Sequence, residues 1–347
     1  MSIGRRVRGA GVVAGLALLL AVTSAGPAAA HPLGAGTEAS NYRTGIRGID
    51  QGAPGISVRT VPGEQLELTN RSDKEVVVLG YRLEPYLRIG PGGVYENQRS
   101  PSTYTNRFRT APADIPSEFD PKAAPDWRRI GDGPSAAWHD HRAHWTGPDP
   151  PAVSANPRAL QVVVPDWRVP LRQGERTMVV RGDITWVPGP SPWPWALATV
   201  AVFAGALAAA GGHRRPRALA VVALLAVAAD VGHTVGALLA SAAPLAAELY
   251  GSVTSAAGWV VAGLAAYRLL RGRAETGLLY LLLGGVFLTL GGALPDLSAL
   301  ARSQLASALG PLATRVTITL TLGLGASMVV AGLVGFRSPR RTDLPAA

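Results

Sequence analysis

The sequence predicts an all-β sandwich on the outer side of a membrane, followed by an α-helical bundle of five transmembrane helices. Three observations carry that prediction. Short runs of alternating apolar and polar residues, separated by turn residues, fill residues 31–192. Five apolar runs follow residue 192, each close to the ~20 residues that cross a bilayer as a helix. Of the 347 residues, 16% are charged and 48% hydrophobic, against about 25% charged in soluble domains.

Residues 1–30 have the order of an export signal. Arg5, Arg6 and Arg8 precede an apolar stretch from Gly11 to Val22, and Ala28, Ala29 and Ala30 supply the small residues of a cleavage site. Cleavage there makes His31 the first residue of the mature chain. Residues 31–192 are long enough for one domain with its own core. Alternating or apolar runs at 56–61, 65–69, 75–79, 160–164, 168–171 and 177–187 read as strands. Pro62-Gly63 and the segment from Asn70 to Lys74 turn the chain between them. Residues 98–125, rich in Pro, Ser, Thr and Asn, read as a long irregular loop. The cluster from Glu84 to Arg88, together with Tyr95, Glu96 and Asn97, reads as a turn clasp or as the lining of a binding surface.

The Pro- and Trp-rich stretch 188–195 is a short, stiff joint into the membrane part, 193–336. Its apolar runs are 193–212, 218–239, 253–270, 277–294 and 316–336, and residues 337–347 form a tail. Arginines cluster at 214–217, at 268–273 and in the tail. Short cytoplasmic loops are enriched in such residues, so all three clusters predict an outer N-terminal domain and a cytoplasmic C-terminus. A cleaved export signal predicts the same orientation in the cell membrane. Abundant Ala, Gly and Val predict close helix packing.

The net charge of +10 does not describe a basic face. Residues 31–192 hold 19 basic and 18 acidic side chains, and the excess lies in the leader, the arginine clusters and the tail. Nucleic-acid binding is therefore not expected. The absence of cysteine excludes disulfides, thiolate metal sites, iron–sulfur clusters and a cysteine nucleophile. No Gly-x-Ser-x-Gly elbow and no phosphate-binding Gly-x-x-x-x-Gly-Lys loop occurs, and no enzyme activity is expected.

Six histidines occur in the chain, three of them within Trp138-His139-Asp140-His141-Arg142-Ala143-His144-Trp145. On a strand beginning near Ala136, His139 and His141 would point to one face; His144 would join as a further ligand or support the others from behind. A mature N-terminal His31 adds an amine and a ring nitrogen. Such an all-nitrogen set suits Cu(II), with Zn(II) and Ni(II) as alternatives. Pro32 has no amide proton, so successive backbone-amide ligation is not expected. Within the apolar runs, Asp230 and His233 lie three residues apart on one helical face, and Asp296 lies near an outer helix end. Ionisable groups there either lock helices together or relay protons or metal ions.

The N-terminal His with a later Trp-His-x-His on a β-sandwich resembles the copper-binding exported domain of the particulate methane and ammonia monooxygenases. The resemblance implies a cupredoxin- or immunoglobulin-like sandwich with His31, His139 and His141 as copper ligands. It covers these residues and the plan of exported domain plus helices, and lacks that family's second sandwich. A looser similarity links the pattern to exported copper-resistance carriers. The opening His31-Pro32-Leu33-Gly34 is similar to that of uncharacterised bacterial exported membrane proteins. The expected function is thus extracytoplasmic copper binding for delivery, sensing or homeostasis, with a copper donor or acceptor as partner. The alternative is a non-metal receptor or assembly protein of the cell envelope. A copper oxidase would need an open coordination position and a substrate pocket, and the sequence displays neither.

Overall fold

A computed structural model describes residues 39–50, 52–61, 64–107, 114–211, 213–240 and 252–337. The proposed leader and His31 lie outside the described residues.

The N-terminal part is antiparallel β-sheet. Its strands are β1 (Tyr42–Ile49), β2 (Ile56–Val61), β3 (Gln65–Asn70), β4 (Val76–Leu79), β5 (Pro85–Gly90), β6 (Gly93–Asn97), β7 (Trp127–Gly131), β8 (Ser135–Trp138), β9 (Gln161–Gln173) and β10 (Arg176–Trp186). Two short helices, α1 (Pro101–Thr105) and α2 (Pro151–Ala155), interrupt them. One sheet has seven strands in the order β1-β10-β9-β4-β5-β6-β7, and the other has three in the order β2-β3-β8. Alternation explains the faces: in β10, Met178, Val180 and Ile184 point inward and are buried. Leu66 and Leu68 of β3 join Val76, Leu87, Ile89, Val169 and Leu171 of the larger sheet in one buried cluster.

The runs at 160–164 and 168–171 are one long strand, β9, that continues through Pro165 and Pro170. Opposite it, Gly182 of β10 marks a register shift. A Cβ at Gly182 would run into the Gly45 carbonyl and the Trp167 ring, so the sheet closes there only around a glycine. The expected loop 98–125 contains α1, whose N-cap Ser100 accepts from the Ser102 amide.

The C-terminal part is helical: α3 (Trp193–Ala209), α4 (Pro216–Ala240), α5 (Val253–Leu270), α6 (Ala274–Phe287) and α7 (Gly310–Arg337). Alpha-6 runs on into a π-helical segment, Leu288–Ala293, and a 3-10 turn follows at Leu297–Leu300. Four of these helices are long and apolar enough to cross a membrane: α4, α5, α6 with its π extension, and α7. At 17 residues, α3 is shorter, spanning ~25 Å at 1.5 Å per residue. Exposed Leu197, Val221, Leu225, Val260 and Leu312 give the bundle an apolar exterior, as lipid contact requires. Inside, small residues bring backbones together: a Cβ on Gly285 would lie 2.7 Å from the Gly325 carbonyl of α7.

The sheets dock on the connection between α6 and α7. Ser40 exchanges backbone hydrogen bonds with Gln304, N–H to O at 2.9 and 2.8 Å. The Ser303 amide donates to Asn41 Oδ1 at 2.9 Å and its hydroxyl to the Val187 carbonyl at 2.7 Å.

Candidate functional site

Strand β8 pairs with β3, Trp138 opposite Leu66, and ends at Trp138. His139 and His141 therefore do not share a strand face as expected; His139 directly follows the strand and His141 lies in the turn after it. The cause is Asp140, a carboxylate with 0% exposure. Its Oδ1 accepts from the Arg142 backbone N–H at 3.1 Å and Nε at 2.8 Å, and its Oδ2 from Trp138 Nε1 at 3.1 Å and Arg142 Nη2 at 2.8 Å. An Asp that takes up local donors in this way bends the chain out of a ladder. Arg142 reaches on to the Gly80 and Leu79 carbonyls at 3.2 and 3.1 Å, with its guanidinium 4.9 Å from the Tyr81 ring centre. Burial pulls the Arg142 guanidinium down, but its hydrogen bonds to Asp140 and that carboxylate's charge outweigh burial and hold it above its ordinary value. The Tyr81 hydroxyl accepts from the His141 amide at 3.0 Å and donates to Asn106. Burial, reinforced by the Asp140 charge, pushes the Tyr81 phenol above its ordinary value.

This clamp gathers three imidazoles. The His144 ring centre lies 5.9 Å from that of His139 and 6.2 Å from that of His141. His139 and His144 are buried, at 7% and 2% exposure. His139 Nε2 lies 3.1 Å from Gln65 Nε2. The Gln65 amide nitrogen can only donate, so the ring nitrogen accepts there. His144 Nδ1 lies 2.5 Å from Glu64 Oε2, at ion-pair distance though not aligned as a hydrogen bond. Its Nε2 is buried with no hydrogen-bond partner among the described residues. The other Glu64 oxygen accepts from the Ser40 hydroxyl.

The sequence-predicted His139, His141 and His144 thus come together, whereas His31 lies outside the described residues. Among the described residues, no three His, Asp or Glu side chains are arranged to hold a metal ion as they stand. Sequence reasoning missed Glu64, Gln65, Ser40 and Tyr81. They come from other strands and turns, and no spacing ties them to the histidines.

The intramembrane groups pair outward rather than with each other. Trp259 Nε1 of α5 donates to Asp230 Oδ2 at 2.6 Å, and His233 Nε2 lies 2.9 Å from Asp296 Oδ2. Gly292 of the π segment packs on Asp230, where a Cβ would overlap the carboxylate. The Glu84 cluster is a clasp: its buried carboxylate accepts from Ser100 and Ser102 hydroxyls at 2.8 and 2.6 Å and from the Arg82 amide at 2.9 Å. Nearby, Arg88 stacks 4.3 Å over the Tyr95 ring.

Comparison of the chain with protein families, curated proteins and solved structures finds no match.

Proposed function

We propose that the chain is a membrane-anchored, extracytoplasmic copper-binding protein that serves metal delivery, sensing or homeostasis. One observation carries the reading. Three imidazoles are held by a buried Asp140–Arg142 clamp beside the start of the β part, where Ser40 and His144 contact the same Glu64 carboxylate. His31 precedes Ser40 by nine residues, a reach of ~30 Å at about 3.3 Å per extended residue. A mature N-terminal His31 therefore has ample chain to bring its amine and ring to His139 and His141. Nitrogen donors without thiolate favour Cu(II), with zinc and nickel as weaker fits.

The two sheets sharing one core support a sandwich, and α3, extended by its flanking residues, completes five membrane passes. The arginines between α3 and α4 and between α5 and α6 support a cytoplasmic location for those turns. The β part, docked on the α6–α7 connection, is then outside the cell membrane.

The test is Cu(II) titration of the purified protein after sequencing of its N-terminus. A start at His31 with one equivalent bound, lost in His139→Ala and His141→Ala, supports the reading. No binding overturns it and returns the β part to partner recognition.

A further inference from the structure

We propose that His144 is a direct metal ligand and that Glu64 is the positioning residue that aims it. This rests on the copper reading, chooses between the two roles the sequence left open for His144, and adds Glu64, which no sequence pattern singles out.

Glu64 stands where a turn residue enters β3, with a backbone φ of 60°. That left-handed conformation is ordinary for glycine and unusual for glutamate. The side chain bridges two parts of the site. Its Oε1 accepts from the Ser40 hydroxyl on the segment that leads back to His31, and its Oε2 lies 2.5 Å from His144 Nδ1. A carboxylate held beside one imidazole nitrogen favours the tautomer with the proton on Nδ1 and the lone pair on Nε2. That Nε2 is the nitrogen left buried and, among the described residues, without a hydrogen-bond partner. Burying a polar nitrogen without a partner is unfavourable, and a metal ion supplies the missing partner.

Size decides whether the rings are near enough. A metal–nitrogen bond of about 2.0 Å, plus the distance from nitrogen to ring centre, puts each ring centre roughly 3.2 Å from the metal, so two ligating rings have centres at most ~6.4 Å apart. The separations of 5.9 and 6.2 Å fall within that limit, at its wide end. Contraction by about 0.7–1.0 Å brings the rings to tetrahedral spacing, about 5.2 Å, and adjacent square-planar positions, about 4.5 Å apart, need about 1.4–1.7 Å.

The same carboxylate therefore sets the third imidazole and holds Ser40 beside it. The experiment compares full-length protein beginning at His31 with His144→Gln, Glu64→Gln and Ser40→Ala. Cu(II) alone is the probe, read by affinity and by the nitrogen couplings in pulsed electron paramagnetic resonance. His144→Gln keeps a donor for Glu64 and nearly the same volume, so it separates ligation from packing. Near-UV circular dichroism of the copper-free proteins reports folding. His144→Gln is expected to remove one imidazole from the coupling pattern. Glu64→Gln is expected to keep the imidazole count, broaden the signal and weaken affinity about 10- to 100-fold, as loss of an orienting partner does. Should Glu64→Gln not fold, Ser40→Ala tests the bridge from its other end, with weakened affinity expected. Wild-type nitrogen couplings and affinity in His144→Gln overturn the ligand assignment, and wild-type behaviour in both Glu64→Gln and Ser40→Ala overturns the positioning role. Either result leaves the copper reading standing. Absence of copper binding in the wild type removes both.

Discussion

Replacing Asp140 by alanine tests whether the histidine loop is held by a buried charge clamp. The side chain is fully buried and accepts four hydrogen bonds, three from Arg142 and one from Trp138. Its loss strands a guanidinium whose side chain is 21% exposed, and breaking one partner of a buried pair costs about 3–5 kcal/mol. Arg142 keeps the Leu79 and Gly80 carbonyls and the Tyr81 ring, which places the expected loss near the lower figure. At about 2–4 °C per kcal/mol for a unit of this size, the β part should melt roughly 6–12 °C earlier. The assay is thermal unfolding of the detergent-solubilised chain followed by tryptophan fluorescence. Arg142→Leu in the same chain removes the stranded charge, so the double variant should melt higher than Asp140→Ala alone. Such non-additivity is the signature of a coupled pair. A shift under 2 °C for Asp140→Ala, or strictly additive effects, would refute the clamp.

Three further outcomes follow from the same geometry. Burial holds the Tyr81 and Tyr86 phenols above their ordinary value; stability from these groups is then complete below the unfolded tyrosine value near 10 and lost as pH rises above it. Absorbance at 295 nm should show ionisation of these phenols together with unfolding, and full ionisation of all eight tyrosines in folded protein would contradict it. Gly292→Ala sets a Cβ against the Asp230 carboxylate, whereas Gly263→Ala on α5 meets nothing within 4 Å. The first should destabilise the bundle by about 1–3 kcal/mol and the second leave it unchanged or stabilise it by up to about 1 kcal/mol, read by thermal unfolding in detergent; equal effects would defeat the packing argument. Because the chain has no cysteine, single cysteines report sidedness directly. Cysteine at Ser154 should react with a membrane-impermeant maleimide in intact cells, and cysteine at Arg215 or Arg271 only after permeabilisation; the reverse pattern inverts the proposed topology.

The membrane helices were legible because a 20-residue apolar run has few other fates. The strands at 56–61 and 65–69 were legible because one face of each is wet. Beta-5 and β6 were not, since Tyr86, Leu87, Ile89 and Val94 are buried with little alternation around them. The histidine motif marked the cluster of three imidazoles, but its local shape was misread. Period-2 spacing of His139 and His141 suggests a strand, yet Asp140 between them takes the Arg142 amide and guanidinium and turns the chain. Glu64 was invisible for a different reason: its role depends on which turn the sheet pairing brings to His144, a tertiary fact with no local signature.

Those tertiary contacts also decide whether the β part is a domain on a tether or a cap on the bundle. A tether would leave the stiff 188–195 joint as the sole link. Instead, Ser40 pairs with Gln304 through both backbone groups, and Ser303 holds Asn41 and the Val187 carbonyl. The α6–α7 connection that makes these contacts also carries Asp296, the partner of His233. On its other side, Ser40 holds Glu64, which faces His144. Ser40 is thus held between the Glu64–His144 contact and the bundle. Because Ser40 makes both sets of contacts, its displacement disturbs the imidazole site and the sheet–bundle junction together.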